Sequence, residues 1–256
     1  MAKDNGLIQS IERGFQVLDL LRDTRQEMGV NEIAAKVSLS PTTVHRLLQT
    51  LITVRAVHQN PKTRQYGLAP SMLLYGKAVI DQFDFVHSAH PFLGELSKVA
   101  GETAFMGILD NFELVYVDHV DSLDHSLRMT PQIGRRQYSH CTSLGKVLLA
   151  NLDIHQLNLY LAQNTFPAMT ENTITNADTL RSELDHIRED GFAYDNEEAE
   201  IGICCVGAPI TGLEGKVIAA ISISGPASRI RSKGMDTFLC QHVVDTAVKI
   251  SRNFFS

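Results

Sequence analysis

Ser40-Pro41-Thr42-Thr43-Val44-His45-Arg46-Leu47-Leu48 decides how the N-terminal part of the chain is read. Ser40 is suited to cap a helix, and Pro41 fits the first helical position, where its missing N–H costs nothing. Val44, Leu47, Leu48 and Leu51 recur at steps of three and four and predict a buried face. The opposite face carries Thr42, Thr43, His45, Arg46 and Gln49, short or planar hydrogen-bonding groups able to reach base edges or phosphates. A lone helix with such a face reads as solvated surface, so the flanking segments decide.

Upstream, Ile8, Ile11, Phe15, Leu18 and Leu21 have the spacing of one buried helical face, with the helix fading over residues 26–29. A short second helix is predicted over 30–37, with Ile33 and Val37 inward. Downstream, residues 54–58 and 65–68 read as two short strands joined by Asn60-Pro61-Lys62-Thr63-Arg64, which has the punctuation of a hairpin tip. A basic hairpin after a recognition helix is a wing, with Lys62 and Arg64 in reach of a phosphate backbone. Residues 1–69 are therefore expected to form a winged helix-turn-helix that binds double-stranded DNA. Residues 70–83, with Met72, Leu73, Val79 and Ile80, read as a linker helix, and two destinations are open to its apolar side chains: a second subunit or its own domain.

The charge divides in the same place. The whole chain of 256 residues carries a formal net charge of -6, yet residues 1–80 hold 10 Lys and Arg against 6 Asp and Glu, leaving 13 against 23 beyond them. Only the first part has the electrostatics to sit on phosphate.

Residues 84–256 alternate helices and strands and predict an α+β sensor domain, an antiparallel sheet flanked by helices. Helices are expected over 85–99, 144–151, 154–162, 178–189 and 235–254, and strands over 103–109, 114–120, 203–210 and 216–224. In the last strand Val217, Ala219, Ile221 and Ile223 share one face, while Ile218, Ala220, Ser222 and Ser224 share the other. The strand before it splits likewise, Cys204, Val206, Ala208 and Ile210 against Cys205, Gly207 and Pro209. Aligned small faces leave room for a ligand with hydroxyls to satisfy. Two further stretches suit that cavity. Cys141-Thr142-Ser143-Leu144-Gly145-Lys146 begins a capped helix whose free N–H groups attract an anion such as a carboxylate. Asp195-Asn196-Glu197-Glu198-Ala199-Glu200 is an acidic loop in which Asp195 can accept hydrogen bonds from sugar-like hydroxyls.

The chain resembles the IclR family of bacterial regulators over nearly its whole length. The resemblance rests on residues 40–48, on Thr142-Ser143-Leu144-Gly145-Lys146, on residues 195–205 and on Ala220-Ile221-Ser222-Ile223-Ser224-Gly225. It implies a winged helix joined by a linker helix to a GAF-like effector domain, working as a dimer or tetramer. It also implies an effector pocket lined by Met129, Ser143, Leu144, Asp195, Cys205, Ser222 and Ser224. Leu127-Arg128-Met129, Ile133-Gly134-Arg135-Arg136 and residues 195–198 look closest to the branch that responds to sugar acids such as 2-keto-3-deoxygluconate. A repressor of a catabolic operon is the expected role, and an aromatic or short keto acid is the alternative effector. The family usually places Gly where this chain has Arg55, which would be strained if that position needs a positive φ.

Other classes fare worse. Cys141, Cys204, Cys205 and Cys240 have neither zinc-ligand spacing nor the density of a disulfide framework, so reduced thiols and no metal or cofactor are expected. His140 beside Cys141 suggests a thiol enzyme, but sequence neighbours diverge on an extended segment and no third group or oxyanion motif accompanies them. No apolar run approaches the length of a membrane span, and a cytoplasmic protein is expected.

Overall fold

The computed structural model describes residues 8–80, 84–122, 133–163, 165–212 and 215–255. The chain divides into two compact units, residues 1–82 and 83–256.

The first unit opens with α1 (Gln9–Thr24), α2 (Val30–Lys36) and α3 (Pro41–Thr53), followed by a hairpin of β1 (Val57–Gln59) and β2 (Tyr66–Leu68) and by α4 (Met72–Ile80). Ser40 caps α3 by accepting the N–H of Thr43 at 3.2 Å, with Pro41 in the first turn. Val17, Leu21, Ile33, Val44 and Leu48 form the core, and Leu47, Leu51 and Val37 pack half-buried against it. The predicted face of α1 needs correcting: Val17 and Leu21 are inward together with Gly14, whereas Ile8, Ile11 and Phe15 are 56–63 % exposed. Those three form a second apolar stripe along α1 and its N-cap, left uncovered by the described residues. On α4, Leu73, Leu74, Tyr75 and Val79 are likewise more than half exposed.

The helix α3 ends where a strand was expected to begin. The N–H of Ala56 reaches the carbonyl of Leu51 at 2.8 Å and that of Arg55 reaches Ile52 at 2.9 Å, a paired C-terminal closure that requires a left-handed residue between helix and strand. That residue is Arg55, at φ +63°. The ordinary occupant of such a position is Gly, because a Cβ crowds the following carbonyl.

In the second unit a six-stranded antiparallel sheet runs in the order β5-β4-β3-β8-β7-β6. The strands are β3 (Thr103–Asp110), β4 (Glu113–Val120), β5 (Arg136–Tyr138), β6 (Ala193–Asn196), β7 (Ile203–Thr211) and β8 (Val217–Pro226). Helices α5 (Asp84–Ala100), α9 (Ala227–Ser232) and α10 (Cys240–Phe255) cover one face, burying Cys204, Val206, Ala208, Ala219, Ile221 and Ile223. Helices α6 (Ser143–Ala150), α7 (Ile154–Ala162) and α8 (Ala177–Asp190) pack on the other side with Phe105, Leu114 and Ala220. The expected split of β7 and β8 into an apolar and a small, polar face is thus present. The architecture is α+β.

Several elements differ from expectation, among them α9, which lies between the last expected strand and the last expected helix. Asp195 and Asn196 belong to β6, paired with Cys205 and Cys204, so the acidic loop starts only at Glu197. β5 was not anticipated, and residues 235–239 form a π-helical turn ahead of α10 rather than its first α-turn. Glycines let α6 lie close to the sheet on one side and to the turn of residues 139–141 on another. A Cβ on Gly207 would lie 3.2 Å from the Ser143 hydroxyl, and one on Gly145 would sit 2.4 Å from the backbone of Ser139.

Candidate functional site

On α3, Thr42, His45, Arg46 and Gln49 are exposed. Thr43 is half-buried and its hydroxyl shares a 2.8 Å hydrogen bond with Ser40, so it helps to close the cap as well as bordering the exposed face. The neighbouring hairpin tip is organised by Asn60, whose Oδ1 accepts the N–H groups of Lys62 at 3.0 Å and Thr63 at 3.3 Å. Arg64 sits in the left-handed region at φ +61°, with its N–H on the Asn60 carbonyl. Lys62 and Arg64 are exposed, so a polar helix face and a basic hairpin tip belong to one compact unit.

In the second unit Ser143, Leu144, Asp195, Cys205, Ser222 and Ser224 line one cavity of about 100 Å³. Met129 lies outside the described residues. β7 and β8 supply Cys205, Ser222 and Ser224 from their small faces, and the Thr142 hydroxyl caps α6 by accepting the Gly145 N–H at 3.1 Å. The first N–H groups of that helix, on Ser143 and Leu144, lie at the positive end of its dipole.

Asp195 is 2 % exposed. Its Oδ1 accepts the N–H groups of Glu198 at 2.8 Å and Ala199 at 3.3 Å, and its Oδ2 faces the Cys205 thiol at 3.7 Å. The thiol in turn shares a 2.9 Å contact with the Ser224 hydroxyl. Burial, reinforced by the nearby Glu198 carboxylate against the pull of the two N–H groups, pushes the Asp195 carboxyl up to about 7. Behind it, Lys146 is 1 % exposed and pairs with Glu198 at 2.6 Å and Glu183 at 3.1 Å. Burial opposes its charge, but the two carboxylates outweigh burial and hold its pKa above the usual lysine value.

Several wall residues were not anticipated as ligand groups: Phe105, Tyr116, Arg135, Gln137, Thr142, Ala199, Glu200 and Ile203. Tyr116 donates to Gln137 Oε1 at 2.8 Å, and burial raises its pKa. A neighbouring cavity of about 290 Å³ shares Arg135, Gln137 and Ala199 with the first. Arg135 is exposed, and its guanidinium meets no carboxylate among the described residues. The motif Ile133-Gly134-Arg135-Arg136 was the available signal for it.

The thiols are not arranged as nucleophiles. Burial, then the Asp195 charge, lifts Cys141 to about 12 and Cys205 well above its usual value. The ring of His140 donates through Nε2 to the Pro167 carbonyl at 3.1 Å, and burial lowers its pKa. Among the described residues no group of three or more His, Cys, Asp or Glu converges as a metal set. No helix there is long and apolar enough to cross a membrane.

Two family models match the chain: the IclR helix-turn-helix domain over residues 10–61 and the bacterial transcriptional regulator IclR C-terminal domain over residues 77–252. The chain belongs to the IclR family. It is 35 % identical to the HTH-type transcriptional regulator KdgR of Escherichia coli K12, over 91 % of this chain and 88 % of that protein. It is 30 % identical to the transcriptional repressor IclR of the same organism, over 93 % and 87 % of the two chains. The crystal structure of the Thermotoga maritima IclR protein superimposes with a TM-score of 0.77 at 31 % identity, covering 97 % of this chain and 99 % of that one. This IclR-family chain is a DNA-binding transcriptional regulator and not an enzyme.

Proposed function

We propose that the chain represses a catabolic operon and is controlled by a small carboxylate, a sugar acid by class, bound in the cavity of its C-terminal domain. The observation that carries the effector reading is the buried Asp195 facing the Cys205 thiol, with Ser222 and Ser224 on the same wall. A cavity walled by hydroxyls and the carboxyls of Asp195 and Glu200 suits a polyhydroxylated ligand. Arg135 and the start of α6 suit its carboxylate, and Phe105, Leu144 and Ile203 cover its carbon chain. Met129 joins this set from the family pattern alone. Relationship to a protein named a transcriptional repressor supports repression.

On DNA, Thr42, Thr43, His45, Arg46 and Gln49 face the major groove and Lys62 and Arg64 face phosphates. The exposed apolar stripe of α1 and the exposed residues of α4 support self-association. Two recognition helices about 34 Å apart, one turn of DNA, suit a dimer on an inverted repeat. Control requires that the effector bind the DNA-competent and incompetent arrangements with different affinity.

The test is fluorescence anisotropy with DNA from upstream of the protein's own gene, at fixed salt, with and without a panel of sugar acids. Salt-sensitive binding that one acid shifts several-fold is expected. Asp195→Ala should keep the DNA affinity and lose that shift. Binding that no sugar acid shifts would refute the effector class, and an aromatic or keto acid acting instead would replace it.

A further inference from the structure

An acidic side chain stands where a DNA-binding surface would ordinarily exclude one. Glu27 lies between α1 and α2, beside Met28, whose backbone exchanges two hydrogen bonds with Tyr66 of β2 at 2.9 and 2.8 Å. From there its carboxylate crosses to the hairpin. Oε2 accepts from Asn60 Nδ2 at 2.7 Å and from the Thr63 hydroxyl at 3.4 Å, and Oε1 lies 3.1 Å from His58 Nε2. Asn60 is the residue whose Oδ1 holds the N–H groups of Lys62 and Thr63. Across the ladder from His58 stands Gly67, where a Cβ would come within 2.9 Å of the His58 ring and 3.3 Å of Glu27 Cγ, so a larger residue would crowd this meeting. The bond from Asn60, first among the influences on it, keeps the Glu27 carboxyl below its usual pKa.

We propose that Glu27 is a positioning residue for DNA binding: it clamps the hairpin tip through Asn60 and Thr63 so that Lys62 and Arg64 are held ready for phosphate. The proposal rests on the reading that the hairpin touches DNA. It opposes the simple electrostatic expectation, under which removing a carboxylate near phosphate tightens binding. A tip held in one geometry loses less freedom on binding than one that must be ordered by the DNA.

The experiment measures operator affinity of the full chain over a series of salt concentrations for wild type, Glu27→Ala, Glu27→Gln, the pair Lys62→Ala/Arg64→Ala, and the triple variant. Thermal unfolding confirms that each is folded. Glu27→Ala should weaken binding roughly tenfold and make the slope of log K against log salt shallower by about 1–2, the loss of one or two phosphate contacts. Glu27→Gln, which keeps an acceptor for Asn60, should recover most of both. Removing Lys62 and Arg64 should cost little in the Glu27→Ala background. Tighter binding by Glu27→Ala, an unchanged slope, or an equal cost of the pair in both backgrounds would overturn the proposal. If Glu27→Ala does not fold, Glu27→Asp, which keeps the charge but withdraws the carboxylate from Asn60, is held to the same outcomes. Should the pair alone leave affinity and slope at wild-type values, the hairpin does not touch DNA, and that reading falls together with the role of Glu27. If the pair weakens binding and Glu27→Ala does not, only the role of Glu27 falls.

Discussion

The two units keep their charges in opposite ways. In the N-terminal unit Arg46, Lys62 and Arg64 are exposed and meet no carboxylate among the described residues. In the C-terminal unit, Arg135 and Asp195 aside, the conspicuous charges are matched around a buried ion. Glu102, 1 % exposed, accepts from Arg229 through both oxygens at 2.7 Å and from Lys233 at 2.8 Å, and Lys146 is held between Glu198 and Glu183. A charge left exposed and unmatched is available to an external partner, whereas one buried and matched is committed to the fold, because stranding either member leaves an uncompensated ion. Substitutions in the two units should therefore register in different measurements.

The largest effect is expected at Asp195, the buried carboxyl without a matching cation in contact. Its ordinary pKa of 3.8 rises to about 7 in the folded chain. Between those values the folded state holds more protons than the unfolded one, so this group's contribution favours folding at acid pH and turns against it as pH rises toward 7. Asp195→Asn should thus stabilise the protein at pH 8, by as much as roughly 4 kcal/mol at about 1.36 kcal/mol per pKa unit, with the gain shrinking toward pH 4. Urea unfolding at the two pH values checks this, and a pH-independent difference would break the assignment. Next in size, Glu102→Ala should cost about 3 kcal/mol of unfolding free energy, because Arg229 and Lys233 lose their shared partner. An unchanged melting temperature would break the comparison on that side.

In the N-terminal unit Arg46→Ala should leave the melting temperature alone and weaken operator binding by about 1–3 kcal/mol. A gel-shift titration with wild-type affinity would remove Arg46 from the interface. Smallest is Arg55→Gly. Relief of a left-handed Cβ, worth roughly 1–2 kcal/mol, exceeds the conformational entropy that Gly adds to the unfolded chain, for a net gain of about 0.5–1 kcal/mol. If stability rises while DNA affinity falls, the strain is retained because Arg55 serves binding.

Much of this organisation is legible in local sequence. Ser40 and Pro41 announce α3 because caps act within one turn, and the alternation through β7 and β8 assigns Cys205, Ser222 and Ser224 to the cavity wall because side chains alternate between the two faces of a strand. What stays hidden is set by distant partners. Asp195 and Asn196 read as the start of an acidic loop, and only pairing with β7 makes them the end of a strand. The stripe Ile8, Ile11 and Phe15 has the spacing of a core face, but periodicity cannot say whether a unit has core to spare. Arg135 reaches the cavity from the segment just before β5, a strand too short to carry a pattern. Glu27 looks like an ordinary loop charge until Asn60, 33 residues on, is brought beside it.

The close approach of α6 to the sheet also bears on how this cavity can change over generations. Where Gly207 faces Ser143 and Gly145 faces Ser139, the separation is fixed by main chain against main chain or a short hydroxyl. Enlarging Gly207 presses the helix against the sheet, and enlarging Gly145 presses it against the turn of residues 139–141, instead of reshaping the hollow, so selection for a new effector finds few viable routes there. Variation that retunes selectivity is thereby channelled to the rim, to Arg135, Gln137, Ala199 and Ile203, whose side chains can be exchanged without moving a strand. Descendants that answer to different effectors should share the glycines and differ at those four positions.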